Sequence, residues 1–183
     1  GKRQGQETAA GQMEEVGNSQ HEATLWEKVF SRENLLAALT RVQENKGAPG
    51  IDGMTVDELP DHLRAHWKGI RARLEQETYR PSPVKRVEIP KPGGGIRLLG
   101  IPTVLDRFIQ QAIAQVLGPV FEPTFSDHSY GFRPGRDAHQ AVETARGYIE
   151  EGWTWVVDID LERFFDTVNH DRLMARMKLT VQD

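Results

Sequence analysis

The sequence predicts an α+β fold, and three observations point to it. Between residues 23 and 79, apolar side chains recur at intervals of three and four, the period of an amphipathic helix. Residues 84–101 alternate in polarity around a run of three glycines, which is typical of a β-hairpin. Residues 153–160 form an apolar, β-branched and aromatic run that predicts a buried strand. Helices, a hairpin and a strand together describe a mixed fold.

Composition describes a soluble globular protein. The 183 residues are 38% hydrophobic and 27% charged, enough for one domain of ordinary size. The absence of cysteine excludes disulfides and thiolate metal sites and fits a reducing interior. No apolar run approaches the roughly 20 residues of a membrane span, and the first residues lack the apolar core of a signal peptide.

Charge is unevenly distributed. The formal net charge is −4, yet residues 61–120 carry ten basic and five acidic side chains. A basic middle beside an acidic site is typical of a metalloenzyme that handles phosphates. A solvated basic helix face explains the same composition.

Helices are predicted throughout the first part of the chain. Residues 1–21 are polar and without period, and we expect them to be mobile. A short helix follows to Phe30, and Ser31 caps a second one that Gly47 ends. Pro60 begins a third helix that runs to about Tyr79. The buried side of this third helix is predicted from Leu63, Trp67, Ile70 and Leu74.

The second part combines strands with helices. We predict strands over 84–89 and 96–101, joined by the glycine turn. Thr103 opens a helix that stops at Gly118, and residues 119–135 are predicted to be irregular. Further helices begin at Asp137 and, after the 153–160 strand, at Asn169 or Asp171.

Two carboxylates end the predicted strand. Asp158 and Asp160 are two residues apart and therefore leave a strand on the same face. Buried like charges are costly unless a cation meets them, and such oxygen ligands suit Mg²⁺. An exposed strand end or an Asp-capped turn explains the spacing equally well.

Two cations flank the hairpin turn. Lys91 and Arg97 stand symmetrically on either side of Gly94, so pairing of the strands brings them near each other. Two such cations around flexible glycine suit a polyphosphate. Solvated charges at a hairpin tip are the competing interpretation.

The segment 129–136 interleaves aromatic residues with arginines in a Gly/Pro loop. This pattern suits stacking on bases and contact with phosphates. A packed turn that leads into the next helix is the alternative.

Four stretches together resemble the amino-terminal half of bacterial group II intron reverse transcriptases, which also act as maturases. They occur in that family's order and cover roughly residues 25 to 180. The matching stretches are KGAPGIDG (46–53), IPKP with RLLGIP (89–92 and 97–102), SYGFRPGR (129–136), and VDID with FFD (157–160 and 164–166).

The resemblance implies a right-hand polymerase fold made of fingers and a partial palm. It implies a flexible segment over 1–21, a helical amino-terminal extension over 22–80, and truncated fingers and palm over 81–183. The loop that contains Lys46 would support template binding. Lys91 and Arg97 would hold the triphosphate of the incoming dNTP. Tyr130, Arg133 and Arg136 would lie against template or primer.

The resemblance also selects a metal ligand. Reverse transcriptases carry a bulky aromatic residue five positions after the catalytic aspartate, where it lies against the sugar. Phe165 is five after Asp160, so Asp160 is the expected catalytic ligand and Phe165 the sugar gate. In this resemblance the backbone carbonyl of Leu161 would complete the coordination, and Asp158 would either support the site or cap the strand end. Two Mg²⁺ ions would act in the complete enzyme.

The chain departs from the family in one respect. The family's second pair of carboxylates lies in a Tyr-x-Asp-Asp hairpin, and this sequence contains none. We therefore expect a truncated polypeptide, a split product or a degenerate gene that does not polymerise alone. A non-catalytic module that binds intron RNA is the alternative function.

The resemblance implies a cytoplasmic bacterial protein without membrane association. Its expected partners are group II intron RNA, template RNA with primer DNA, and dNTP. A palm sheet with an unpaired edge further predicts self-association.

Overall fold

The computed structural model describes residues 23–161 and 163–181. The segment 1–21, predicted to be mobile, lies outside this part. The described residues form helices α1 to α7, a short 3₁₀ turn and strands β1 and β2. Their bounds are α1 Leu25–Val29, α2 Arg32–Glu44, α3 Leu59–Glu75, β1 Lys85–Pro90, β2 Ile96–Ile101, α4 Val104–Phe121, the 3₁₀ turn Glu122–Thr124, α5 Ala138–Glu150, α6 Phe164–Thr167 and α7 His170–Thr180.

The hydrophobic core lies among the first four helices. Helix α4 packs against α1 and α2, and α3 contributes Leu59 and Ile70. Trp67 bridges the rings of Phe30 and Phe108, with centroids at 6.2 Å and 5.8 Å. The core therefore joins side chains from both sides of the domain boundary expected at residue 80. Its members are Val29, Phe30, Ala38, Val42, Val56, Leu59, Ile70, Val104, Phe108, Ile109 and Ala112.

Polar side chains cap the helices where the sequence predicts them. Ser31 accepts a hydrogen bond from the Asn34 N–H and begins α2. Thr103 caps α4, Asp137 caps α5 and Asn169 caps α7. Each cap provides a partner for one of the N–H groups that a helix leaves unpaired at its start.

The predicted hairpin is confirmed. Strands β1 and β2 pair antiparallel, with Ile89 opposite Arg97 and Val87 opposite Leu99. Gly94 and Gly95 have φ of 89° and 87° in the turn, a conformation that glycine adopts without steric cost. The Lys91 N–H donates to the Gly95 carbonyl at 3.0 Å and extends the pairing beyond the strands.

Two predicted helix ends are wrong. Helix α3 ends at Glu75 rather than near Tyr79, because Glu77 takes a φ of 56° and the Tyr79 N–H turns back to the Arg73 carbonyl. Helix α4 continues through Pro119 to Phe121, so the first residues of the stretch predicted to be irregular are helical. A proline this close to a helix end removes one hydrogen bond, and the remaining turns continue.

The predicted buried strand over 153–160 is also wrong. These residues adopt no regular secondary structure, and Trp155 is 94% exposed. The sheet of the described residues has two strands, β1 and β2, so no palm sheet is present among them. A strand is stabilised by hydrogen bonds to a neighbour, and 153–161 has no neighbouring strand within the described ranges. The α+β class holds, with the β part reduced to the hairpin.

Helices long and apolar enough to span a membrane are not found among the residues that the structure describes.

Candidate functional site

A cavity of about 890 Å³ lies between the hairpin and the segment around Asp160. Lys91 and Arg97 line it from the hairpin. Asp160, Leu161 and Phe165 line it from the other side. The structure thus brings together five of the residues that the sequence singles out. We call this cavity the cleft; Leu98, Ile159, Arg163, Phe164 and Asp166 complete its lining.

The hairpin register places the two cations of the cleft on one face. Ile89 pairs with Arg97, and Lys91 lies two residues beyond Ile89 on the same side of β1. Lys91 and Arg97 are therefore diagonal neighbours across the turn, within reach of a common ligand. Arg86 pairs with Gly100 and alternates onto the opposite face.

A tight turn builds the other wall of the cleft. The Asp160 Oδ1 accepts from the Leu161 N–H at 2.9 Å. Arg163 follows with a φ of 50°, and the one-turn helix α6 begins at Phe164. The Phe165 ring is 89% exposed and meets Phe164 edge-on, with centroids 5.4 Å apart. A large exposed ring beside a carboxylate is available to a ligand in the cleft.

Carboxylate oxygens are ligands that suit Mg²⁺, but the described residues place too few of them at the cleft. Asp160 and Asp166 line the cleft, and the Arg163 Nε lies 3.4 Å from an Asp166 oxygen. No group of three His, Cys, Asp or Glu side chains converges within residues 23–161 and 163–181. Asp158 is exposed and is not among the residues that line the cleft. The described residues therefore do not form a complete magnesium site.

The loop 129–136 is held together by its own side chains. The Arg133 Nε and Nη2 donate to Glu122 Oε1 at 3.0 Å and 2.8 Å. Its Nη1 donates to the carbonyls of Ser126 and Ser129. These bonds use one Nε, two Nη1 and one Nη2 hydrogen, four of the five guanidinium donors. Arg133 therefore organises this loop.

The other two residues singled out in the loop are less constrained. The Tyr130 hydroxyl lies 2.8 Å from Thr144 Oγ1, which fixes the ring against α5. Arg136 lies over the Tyr130 ring at 5.7 Å and 3.6 Å from Asp127, an almost fully exposed carboxylate. The cations of this loop do not line the cleft.

Lys46 lies at the end of α2, away from the cleft lining. It is exposed and has a φ of 45°, the left-handed conformation that often ends a helix. The loop that follows packs on α4, where the Arg107 Nη2 donates to the Ala48 carbonyl at 2.7 Å. A Cβ on Gly47 would overlap the end of the Arg107 guanidinium, so a larger residue here would displace the Arg107 side chain.

One buried carboxylate was not predicted. Asp106 is 3% exposed and accepts hydrogen bonds from Tyr79, Ser82 and Thr103. Burial and the Asp106 carboxylate together raise the pKa of the Tyr79 hydroxyl. The capping pattern of a threonine followed three residues later by an acidic residue marks Thr103 and Asp106 in the sequence. Tyr79 and Ser82 lie outside α4, and no local sequence pattern predicts their contact with Asp106.

Sequence comparison with known proteins gives a consistent result. Residues 89–181 match the family model described as reverse transcriptase (RNA-dependent DNA polymerase), just over half of the chain. Protein YkfC of Escherichia coli is 36% identical over 163 residues, covering 85% of this chain and 43% of that protein. The group II intron-encoded protein LtrA of Lactococcus lactis is 35% identical over 147 residues, covering 80% of this chain and 24% of that protein.

The structural comparison agrees at the level of the fold. A chain of the Cas6-RT-Cas1–Cas2 complex superposes with a TM-score of 0.52 at 22% identity, over 88% of this chain and 16% of that one. The present chain thus spans less than half the length of the curated relatives named above. From the family match and the intron-encoded relatives, the chain belongs to the reverse transcriptase (RNA-dependent DNA polymerase) family, alongside the proteins that group II introns encode.

Proposed function

We propose that this chain is the amino-terminal part of a group II intron-type RNA-directed DNA polymerase. Its parent protein copies RNA into DNA and assists intron splicing. The observation that carries the proposal is the cleft, where two hairpin cations and Asp160 line one cavity. In this scheme residues 22–80 are the helical extension and 81–183 the fingers and partial palm.

The hairpin cations bind the triphosphate of an incoming dNTP. Lys91 provides a compact point charge, and Arg97 a planar fork that hydrogen-bonds two phosphate oxygens at once. Their position on one hairpin face lets both contact the same polyphosphate. Positive charge held there offsets the negative charge that develops on the leaving phosphates during phosphoryl transfer.

Asp160 and the Leu161 carbonyl are the proposed ligands of a catalytic Mg²⁺. The ion, when bound, stabilises charge on the reacting phosphate oxygens. The described residues bring too few carboxylates together for two ions, so we assign no catalytic step to this chain alone.

Phe165 is the proposed sugar gate. Its exposed ring lines the cleft next to the carboxylate turn, where a nucleoside sugar would lie. A ring in this place leaves little room for a 2′-hydroxyl and therefore favours dNTP over NTP. Substituting Phe165 with alanine is expected to reduce the preference for dNTP while leaving dNTP binding largely intact.

Template RNA and primer DNA are the proposed nucleic-acid partners. Tyr130, Arg136 and Lys46 are the contact candidates, since each lies on a loop and both cations are accessible. Arg133 contributes by holding the Tyr130 loop in shape, because most of its donors are already engaged.

The proposal is tested by nucleotide binding to the purified chain. Affinity for a fluorescent dNTP is measured by anisotropy for wild type and for the double variant Lys91→Ala/Arg97→Ala. We expect the double variant to lose at least about tenfold in affinity, since each charge-assisted contact contributes roughly 1.5–3 kcal/mol. Arg86→Ala is the matched control, because it removes a β1 cation from the opposite face. An equal loss in the control would contradict a specific triphosphate site.

A second candidate function, a non-catalytic intron RNA-binding module, is favoured by helix α3. Arg64, Lys68, Arg71 and Arg73 are exposed along it, although Arg64 and Arg71 also pair with acidic neighbours on the same helix. RNA binding is measured at several salt concentrations. If neutralising these four cations abolishes the binding and Asp160→Asn leaves it unchanged, the result favours the RNA-binding module. The opposite pattern favours the polymerase proposal.

Self-association through the 153–161 segment is also proposed. It pairs with no strand among the described residues, and Trp155, Val156 and Val157 are all more than 80% exposed. Such an edge pairs readily with another strand. Sedimentation velocity should show a concentration-dependent dimer that Val156→Lys abolishes, whereas an unchanged dimer would place the contact elsewhere.

A further inference from the structure

Asp106 accepts hydrogen bonds from three residues that lie in two connecting segments of the chain, before β1 and after β2. The Tyr79 hydroxyl, beyond the end of α3, donates to its Oδ1 at 2.7 Å. The Ser82 N–H donates to Oδ2 at 3.1 Å, and the Thr103 hydroxyl donates to the same oxygen at 2.6 Å. Asp106 and Thr103 are 3% and 2% exposed, so water does not replace these bonds easily.

Two of the three donors flank the hairpin. Ser82 precedes β1, which begins at Lys85, and Thr103 follows β2, which ends at Ile101. The chain entering the hairpin and the chain leaving it are therefore tied to one carboxylate oxygen. Because Asp106 lies in the first turn of α4, this oxygen also joins the hairpin to the helical core.

Outside its base, the hairpin has little support. Its strand residues are exposed, except Val87 and Ile101, which are half-buried. At the base, Gly100 lies so close to Val84 that an added Cβ would be 2.9 Å from the valine Cγ2. When the contacts at the base of such a hairpin are lost, its tip moves most. Lys91 lies at this tip.

We propose that Asp106 is a positioning residue that sets the angle of the β1–β2 hairpin on the helical core. Through this angle it places Lys91 and Arg97 at the cleft, a part of the inference that rests on the proposed function. The carboxylate has no ion-pair partner recorded within the described residues. Three donors and the amino-terminal end of α4 stabilise its charge instead.

The inference is tested by the distance between two spin labels on the full chain. The chain has no cysteine, so Gly93→Cys at the hairpin turn and Ala65→Cys on exposed α3 can be labelled selectively. Pulsed electron paramagnetic resonance then gives the distribution of tip-to-core distances. We expect Asp106→Ala to widen this distribution at least about twofold, because alanine leaves Ser82 and Thr103 without their shared acceptor oxygen.

Further variants separate positioning from loss of stability. Thr103→Val removes one hydroxyl donor and should also widen the distribution, whereas Thr103→Ser keeps the hydroxyl and should remain narrow. Val42→Ala is the stability control, since it weakens the core in α2 without touching the Asp106 contacts. Narrow distributions in both Asp106→Ala and Thr103→Val would overturn the inference, as would equal widening in Val42→Ala.

Nucleotide binding distinguishes this inference from the function on which it rests. If both hold, Asp106→Ala widens the distribution and lowers dNTP affinity several-fold, although the residue does not line the cleft. A widened distribution with unchanged dNTP affinity supports the positioning role and contradicts the assignment of the hairpin cations.

Discussion

Lys91, at the end of β1, and Asp160, in the turn before α6, line the same cavity although they are far apart in the sequence. A cation and a carboxylate on facing walls of the cleft suit the binding of a polyphosphate that carries a metal ion. In the proposed site the cation would contact phosphate oxygens directly, and the carboxylate would contact them through a bound ion. This opposition is the structural basis of the proposed nucleotide site.

Arg133 is expected to be the more important arginine of the 129–136 loop for stability. Its side chain is 8% exposed and bonds to Glu122 and two carbonyls. Arg133→Ala should lower the free energy of unfolding by about 1.5–3 kcal/mol, since it leaves charged and carbonyl acceptors unpaired. Urea denaturation followed by circular dichroism measures this difference.

Arg136→Ala is the matched control for that loop. Its partner Asp127 is 93% exposed, and such pairs contribute only about 0–1 kcal/mol. Equal destabilisation by the two substitutions would contradict the structural role given to Arg133.

Position 50 is expected to require glycine, because the packing there leaves no room for a side chain. An added Cβ would come within 2.6 Å of the Thr103 Cα and 2.9 Å of the Pro102 carbonyl oxygen. Gly50→Ala should therefore lower the free energy of unfolding by about 1–3 kcal/mol, the usual result of overpacking. Gly69→Ala lies inside α3 with open space around it and should instead stabilise the chain by about 0.5–1 kcal/mol. A stabilising Gly50→Ala in thermal unfolding would contradict the close packing of this loop on Thr103.

Tyr79 is expected to make the folded chain less stable as the pH becomes alkaline. Burial and the Asp106 carboxylate raise its pKa, so the folded-state pKa exceeds the unfolded value of about 10. The stabilisation is complete below about pH 10 and is lost as the pH rises toward the folded-state pKa. Melting temperature between pH 8 and 11 should therefore fall less steeply in Tyr79→Phe than in wild type. Tyr148→Phe, at an exposed tyrosine, should keep the wild-type slope; equal slopes in all three proteins would refute the prediction.

Features set by local sequence were predictable. The caps at Ser31, Thr103 and Asp137 depend on hydrogen bonds within four residues, and the hairpin depends on a glycine turn between alternating strands. Side-chain alternation then places Lys91 and Arg97 together without knowledge of the rest of the chain.

Features that depend on distant neighbours were not predictable. The 153–160 run has strand-like composition, but whether it pairs depends on a second strand, and none lies beside it in the described residues. The contacts of Asp106 with Tyr79 and Ser82 require α3 and α4 to be packed first. Helix α4 extends past Pro119 because one lost hydrogen bond does not end a helix near its last turn.

The chain alone is expected not to extend a primer. It offers the carboxylates of one turn to the cleft and contains no Tyr-x-Asp-Asp sequence. The assay contains purified chain, an RNA template with a DNA primer, dNTPs and Mg²⁺. We predict no incorporation above that of Asp160→Ala. Processive extension by wild type that disappears in Asp160→Ala would show that this chain is catalytically complete.

The most direct test of the cleft is photo-crosslinking of the full chain with an azido-dATP, mapped by mass spectrometry. We predict that crosslinks fall in peptides that contain Lys91 to Leu98 and Ile159 to Asp166, and that excess unlabelled dATP suppresses both. Lys91→Ala/Arg97→Ala should lose this labelling while Arg86→Ala retains it. Crosslinks confined to other parts of the chain, or insensitive to unlabelled dATP, would contradict the assignment of the cleft as a nucleotide site.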